Sequence, residues 1–88
     1  MVEIKKINKR TFEVTVQERT ITKHEVTVDP SYYEKLTIGN VSPEILVEKS
    51  FEFLLKREPN ISILRKFDLW VISQYFPEYE IKIQEMLK

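Results

Sequence analysis

Residues 11–30, TFEVTVQERTITKHEVTVDP, alternate apolar and polar side chains until Asp29-Pro30, beyond which apolar residues recur at helical spacing. Side chains change face at every residue of a strand and return every 3.6 residues in a helix. The change of period therefore separates antiparallel strands in residues 1–29 from a helical part in residues 30–88. Phe12, Val14 and Val16 share one strand face against Thr11, Glu13, Thr15 and Gln17; Val26 and Val28 repeat the pattern against Lys23, Glu25 and Thr27. This reads as a hairpin. Its turn, near Glu18 to Ile21, holds no Gly, Asn or Asp, which disfavours a two-residue primed turn and predicts a longer loop. Val2 and Ile4 supply a third strand if the chain turns at Asn8-Lys9-Arg10. Such a sheet has one apolar and one polar, Thr-rich face and needs a helical layer on the first only.

Helix signals follow in order. Asp29 is an N-cap with Pro30 in the first turn, predicting a short helix through Leu36, and Gly39, the sole glycine, supplies a left-handed residue after it. Ser42-Pro43-Glu44 repeats the start signal and opens the longest helix, Pro43 to Arg57, which Pro59 closes. At 100° per residue Val47, Phe51, Leu54 and Leu55 fall on one side, with Leu46 and Phe53 adjacent, an arc wide enough to touch two layers. Ser50 lies in the middle of that arc, where a small side chain permits close approach of another backbone. Asn60 is placed to cap a short turn through Ile63 and Leu64, Asp68 to cap Leu69 to Tyr75, and Pro77 to begin a last helix through Ile83 and Leu87. The fold class is α+β: an antiparallel sheet of two or three strands covered on one face by four or five mostly short helices, in one domain spanning 1–88.

Composition excludes several functions. Eighty-eight residues, 42% of them hydrophobic and dominated by ten Ile, eight Val, seven Leu and five Phe, describe one globular domain. A chain of this length buries only about 60 to 65 per cent of its unfolded surface, so its core must be used efficiently. Cysteine is absent, which removes disulfides, thiolate nucleophiles and Cys-ligated metal together; one histidine leaves no transition-metal set. No apolar run approaches a membrane span, and MVEIKKINKR lacks the apolar middle of a secretory signal, so a cytoplasmic protein is expected. The chain has no Ala and is rich in Ile, Lys and Glu, as in AT-rich or thermophilic genomes.

The formal charge is zero but uneven: residues 1–24 carry six Lys/Arg against three Glu, residues 25–58 four against seven, and residues 59–88 four against four. Solvated surface is the plainer reading; orientation of a partner or a second copy is the sharper one.

No catalytic constellation emerges. His24 falls by parity on the inward face with Val26 and Val28, and no orienting acceptor or substrate pocket is legible beside it, so a structural histidine outweighs a general base. Glu78 and Glu80 flank Tyr79 near a helix start, where the dipole favours carboxylates; i and i+2 lie on different helix faces, which argues against paired-carboxylate catalysis. Lys5, Lys6, Lys9 and Arg10 cluster around the first turn and are candidate contacts to a phosphate backbone. A helix-turn-helix reading of Asn60 to Tyr75 fails, because Leu69 to Tyr75 carries no basic residue. A ribbon-helix-helix would place Glu25 and Asp29 toward the groove. Among the aromatics, Tyr32, Tyr33, Trp70, Tyr75, Phe76 and Tyr79 cannot all face inward, and Tyr33 and Trp70 are the candidates for a protein interface.

The stretch VEKSFEFLLKREPNISILRKFDLWVISQYFPEYE, Val47 to Glu80, resembles short prokaryotic proteins of uncharacterised activity. It is carried by Phe51-Glu52-Phe53-Leu54-Leu55, Arg57-Glu58-Pro59, Ser62-Ile63-Leu64, Phe67-Asp68-Leu69 and Tyr75-Phe76-Pro77-Glu78-Tyr79. The resemblance implies no activity, cofactor or site. The expected function is thus a non-catalytic protein–protein interaction or self-association, without cofactor or metal. The alternative is nucleic-acid backbone binding through the basic hairpin.

Overall fold

A computed structural model describes residues 1–88. Three antiparallel strands, β1 (Val2–Lys6), β2 (Thr11–Gln17) and β3 (Ile21–Thr27), lead into helices α1 (Pro30–Thr37) and α2 (Pro43–Leu55). A 3₁₀ turn at Asn60–Ser62 precedes a fourth strand, β4 (Lys66–Asp68), and two further helices, α3 (Val71–Tyr75) and α4 (Tyr79–Met86). Sheet order is β1-β2-β3-β4.

The hairpin register accounts for the core. Val16 faces Val2, Val14 faces Ile4 and His24, and Phe12 faces Lys6 and Val26 across the antiparallel ladders. All pairs of one parity project to the same side, so Phe12, Val14, Val16 and Val26 are fully buried together, while Glu3, Lys5 and Lys23 stay on the solvent side. Asn8 replaces glycine chemistry in the first turn: its Oδ1 accepts from the Arg10 and Thr11 amides at 2.9 and 3.0 Å. Gln17 pairs with Ile21, leaving the three-residue loop Glu18-Arg19-Thr20 that the turn chemistry required.

The sheet has four strands and is mixed, where the sequence indicated two or three antiparallel ones. Lys66–Asp68 pairs parallel with Glu25–Thr27, so β4 interrupts the part expected to be wholly helical. Three residues are too few for an alternation signal, and their partner lies about forty residues earlier across the α1–α2 crossover. The same pairing overrides Asp68 as a helix cap. Phe67 is drawn into the core, the Leu69 amide donates to Thr27 O at 2.9 Å, and α3 starts only at Val71 with no side-chain cap. Asn60 does not cap its turn either; its side chain is buried and bonded to the hairpin. The last helix begins at Tyr79, two residues beyond Pro77, and α2 ends at Leu55, where Arg57 and Glu58 amides both return to Leu54 O.

Other caps form as their residue types dictate. Asp29 accepts from the Tyr32 amide and Ser42 from the Ile45 amide, at 3.1 and 3.3 Å. After α1 the chain turns left-handed at two residues, Ile38 (φ 54°) and Gly39 (φ 72°). Glycine tolerates this; β-branched Ile38, 75% exposed, does not.

Helix α2 lies between the sheet and α4. Its residues Val47, Phe51 and Leu54 join the strand residues in one buried cluster, and Phe53 turns to Tyr79 and Phe76 with ring centroids 5.2 and 5.8 Å away. Ser50 is fully buried at the contact: its Oγ donates to Leu46 O at 2.7 Å and accepts from the Tyr79 hydroxyl at 2.6 Å. Burial holds the Tyr79 hydroxyl protonated by pushing its pKa far up. Glu78 bonds Arg57 Nε at 3.3 Å, and Glu80 takes the Tyr32 hydroxyl and Lys35 Nζ at 2.9 and 3.1 Å. Three successive residues at the start of α4, Glu78 to Glu80, therefore fasten it to α1, to α2 and to the turn that follows α2. No helix is long and apolar enough to cross a membrane.

Two substitutions test this packing by urea denaturation. Leu54→Ala removes a buried side chain of the core cluster and should cost about 2 to 5 kcal/mol. An unchanged midpoint would refute the packing. Ile38→Asn relieves a left-handed β-branched residue and should gain about 0.5 to 2 kcal/mol, the usual return of a corrected helix terminus.

Candidate interaction site

The inward face of β3 carries two polar residues, Thr22 and His24, each about 1% exposed. Buried polar groups without partners are costly, and here both find them in one chain of hydrogen bonds. His24 Nδ1 lies 2.7 Å from Leu64 O, an atom that only accepts, so Nδ1 carries the proton and Nε2 is the acceptor. The Thr22 hydroxyl, 2.9 Å from Nε2, donates to it. Asn60 Nδ2 in turn donates to Thr22 Oγ1 at 2.9 Å and to Thr20 O at 2.7 Å. Every donor has one direction, and the relay clamps Asn60 to Leu64 onto the hairpin. Phe51 packs on the imidazole at a centroid distance of 5.4 Å. Burial lowers the His24 pKa below its ordinary 6.5, with Arg65 acting the same way and the Leu64 carbonyl only partly opposing. His24 is thus neutral, satisfied and closed to substrate.

The clamped segment forms one wall of an apolar cleft of about 270 Å³. Leu54, Ile63, Phe67 and Ile72 form its inner surface; Leu64, Val71, Tyr75 and Phe76 form its rim. Leu64 and Tyr75 are exposed at 45% and 66%. An apolar cavity of about 150 Å³ takes one benzene, so this cleft has room for one or two side-chain-sized apolar groups and is small beside ordinary cofactor pockets. Its one ionisable carboxyl, Glu58, has no ion pair or side-chain hydrogen bond in the chain, and burial raises its pKa. Ser62 and the Tyr75 hydroxyl are the other polar groups of the lining, and no histidine, lysine or second carboxylate stands among them.

The residues expected to bind partners are dispersed. Trp70 is 44% exposed and borders a separate polar cleft with Arg10, Lys35, Asp29 and Asp68, which shares no lining residue with the apolar one. Tyr33 is half-buried and its hydroxyl donates to Val41 O, tying α1 to the following loop. Lys5, Lys6, Lys9 and Arg10 are all exposed, and none forms an ion pair. By strand parity Lys5 and Lys6 project to opposite faces, Lys5 directly across from Glu13. Arg10 shares its cleft with two carboxylates, so the four cations do not make one uninterrupted phosphate track. No three His, Cys, Asp or Glu side chains converge as a metal site.

Sequence reasoning placed His24 inward and counted Tyr75 among the aromatics that cannot all be buried, but it gave Asn60 a capping role and assigned no role to Glu58 or a site to Leu64. Two consecutive inward polar positions, Thr22 and His24, were the usable signal, since they demanded a buried partner from elsewhere. Comparison with known protein families, with curated proteins and with solved structures gives no match.

The relay predicts the pH response. Above pH 6.5 folded and unfolded chains both hold a neutral imidazole. As pH falls below 6.5, the unfolded chain takes up a proton that the folded chain resists, so stability rises with pH across this window and is lost on acidification. Urea unfolding at pH 7.5 and 5.5 should show this loss in the wild type and a much smaller one in His24→Gln. Equal losses would show that His24 is not the group responsible.

Proposed function

We propose that this protein is a non-catalytic, cytoplasmic interaction domain that receives an apolar segment of a protein partner in the cleft between β4 and α3. The observation that carries the reading is the cleft itself: eight of its ten lining residues are hydrophobic, and Leu64 and Tyr75 present large apolar side chains at its mouth. Aromatic residues around a desolvated pocket are the usual anchors of protein association, and a small domain gains nothing in stability from leaving them in water. The relay through His24 favours the same reading, because it makes the cleft wall rigid before anything binds. Phosphate-backbone binding by Lys5, Lys6, Lys9 and Arg10 is the weaker alternative, since the parity of β1 divides those cations between two faces.

A photo-crosslinking residue at Tyr75, introduced in the native cell, should yield a discrete crosslinked protein that disappears when Leu64→Glu is added. The same residue at Ile81, an exposed position of α4 outside the cleft, should not yield it. Equal products at both positions would sink the cleft as the interface. Salt-sensitive nucleic-acid binding abolished by changing Lys5, Lys6, Lys9 and Arg10 to Gln would transfer the function to the hairpin.

A further inference from the structure

The geometry points to strand addition as the mode of recognition: an extended peptide pairs with the open edge of β4, placing an apolar residue in the cleft and a Lys or Arg two positions away on Glu58. This rests on the cleft being the interface and goes further, to the conformation and charge of the occupant. β4 is an edge strand. Its bonds to β3 bracket Phe67: the Glu25 amide donates to Arg65 O at 2.7 Å and the Leu69 amide to Thr27 O at 2.9 Å. In a parallel ladder this alternation directs the Phe67 backbone at β3 and turns the amides and carbonyls of Lys66 and Asp68 outward. None of those four outward groups bonds another backbone group outside the sheet or a side chain of the chain. An unpaired edge of this kind is a template for a further strand.

Phe67 joins the two halves of the site, since its backbone lies in β4 and its side chain lines the cleft. Alternate side chains of an added strand fall on that same face, so residues i and i+2 reach the cleft and the residue between them faces the polar side of the sheet. Glu58 is the one carboxylate in the lining and lacks an intramolecular partner, so charge complementarity selects a cation at one of those two positions. An occupying helix would leave the β4 edge unpaired and repeat its apolar contacts every three or four residues instead.

The test uses the full chain and a random heptapeptide phage library, with the strongest binder resynthesised. Selected sequences should combine an apolar residue with Lys or Arg at i+2. N-methylation of alternate peptide amides should weaken binding by about three- to tenfold, as for a lost hydrogen bond, and methylation of the intervening amides by less than about twofold. Replacing the basic residue by norleucine should cost about tenfold against the wild type, and this preference should vanish in Glu58→Gln. Absence of binders, apolar spacing of three or four, uniform sensitivity to N-methylation, or a basic preference that survives Glu58→Gln would each overturn strand addition. A stable dimer in sedimentation, dispersed by Tyr75→Ala, would overturn it in favour of a second copy. If Tyr75 crosslinks a partner while the peptide tests fail, the cleft remains the interface and only the strand mode is lost; failure of both removes both.

Discussion

The hydrogen-bond relay from Asn60 through Thr22 and His24 to Leu64 is the constraint on which the C-terminal half depends. A small domain has little apolar area to spare, and replacing two inward valine-like positions by polar ones sacrifices some of it. What the substitution provides is direction. Apolar contacts on the open side of β3 would be satisfied by many arrangements of the returning chain, whereas one imidazole tautomer, one hydroxyl orientation and one amide fit together in a single way. Leu64 is held by its carbonyl, Lys66–Asp68 then falls into parallel register with Glu25–Thr27, and Phe67 is delivered beside Phe51, 6.2 Å between centroids.

The second junction, at α4, works by the same logic with different chemistry. Burying Tyr79 supplies a large apolar surface, but its hydroxyl needs a partner, and Ser50 is the one small polar residue of α2 on that side. Arg57 lies 3.6 Å over the Phe53 ring while bonding Glu78, so its charge is used at both ends. These contacts set α4 against α2. The region beneath the exposed ends of Leu64 and Tyr75 remains open, bounded by elements that are each fixed from behind.

How much of this was legible depended on range. The strands of residues 11–28 announced themselves because alternation and turn chemistry are local, and the starts of α1 and α2 because an Asp or Ser cap followed by Pro is local too. Ser50 was recognisable from the helix projection as a small residue within the apolar arc, but the group that meets it is the Tyr79 hydroxyl and not the close backbone that its size suggested. β4 was not legible: Lys66-Phe67-Asp68 has no periodicity to detect, and Asp68 carries a helix-cap signature that strand pairing overrules. Asn60 misled for the same reason, its side chain being claimed by Thr20 and Thr22 across forty residues of sequence. The cleft draws on the end of α2, the 3₁₀ turn, β4 and α3, so no single window of sequence contains it. The candidates named from composition, Tyr33, Trp70 and the basic hairpin, were chosen for residue type, which carries no information about concavity.

The parallel pairing of β3 with β4 also orders the assembly of the molecule in time. The hairpin closes a loop of three residues, but β4 reaches β3 only after both crossover helices have been threaded between them. Long loops bear more closure entropy and are formed later in folding. β4 is consequently the last strand of the sheet to zip, and with three residues paired on one side only it can detach while the relay still holds Asn60 to Leu64 on the hairpin. An opened species keeps its three-stranded meander while losing the groove altogether, so the backbone amides of Phe67 and Leu69 exchange with solvent through a smaller opening than those of Val14 or Val26.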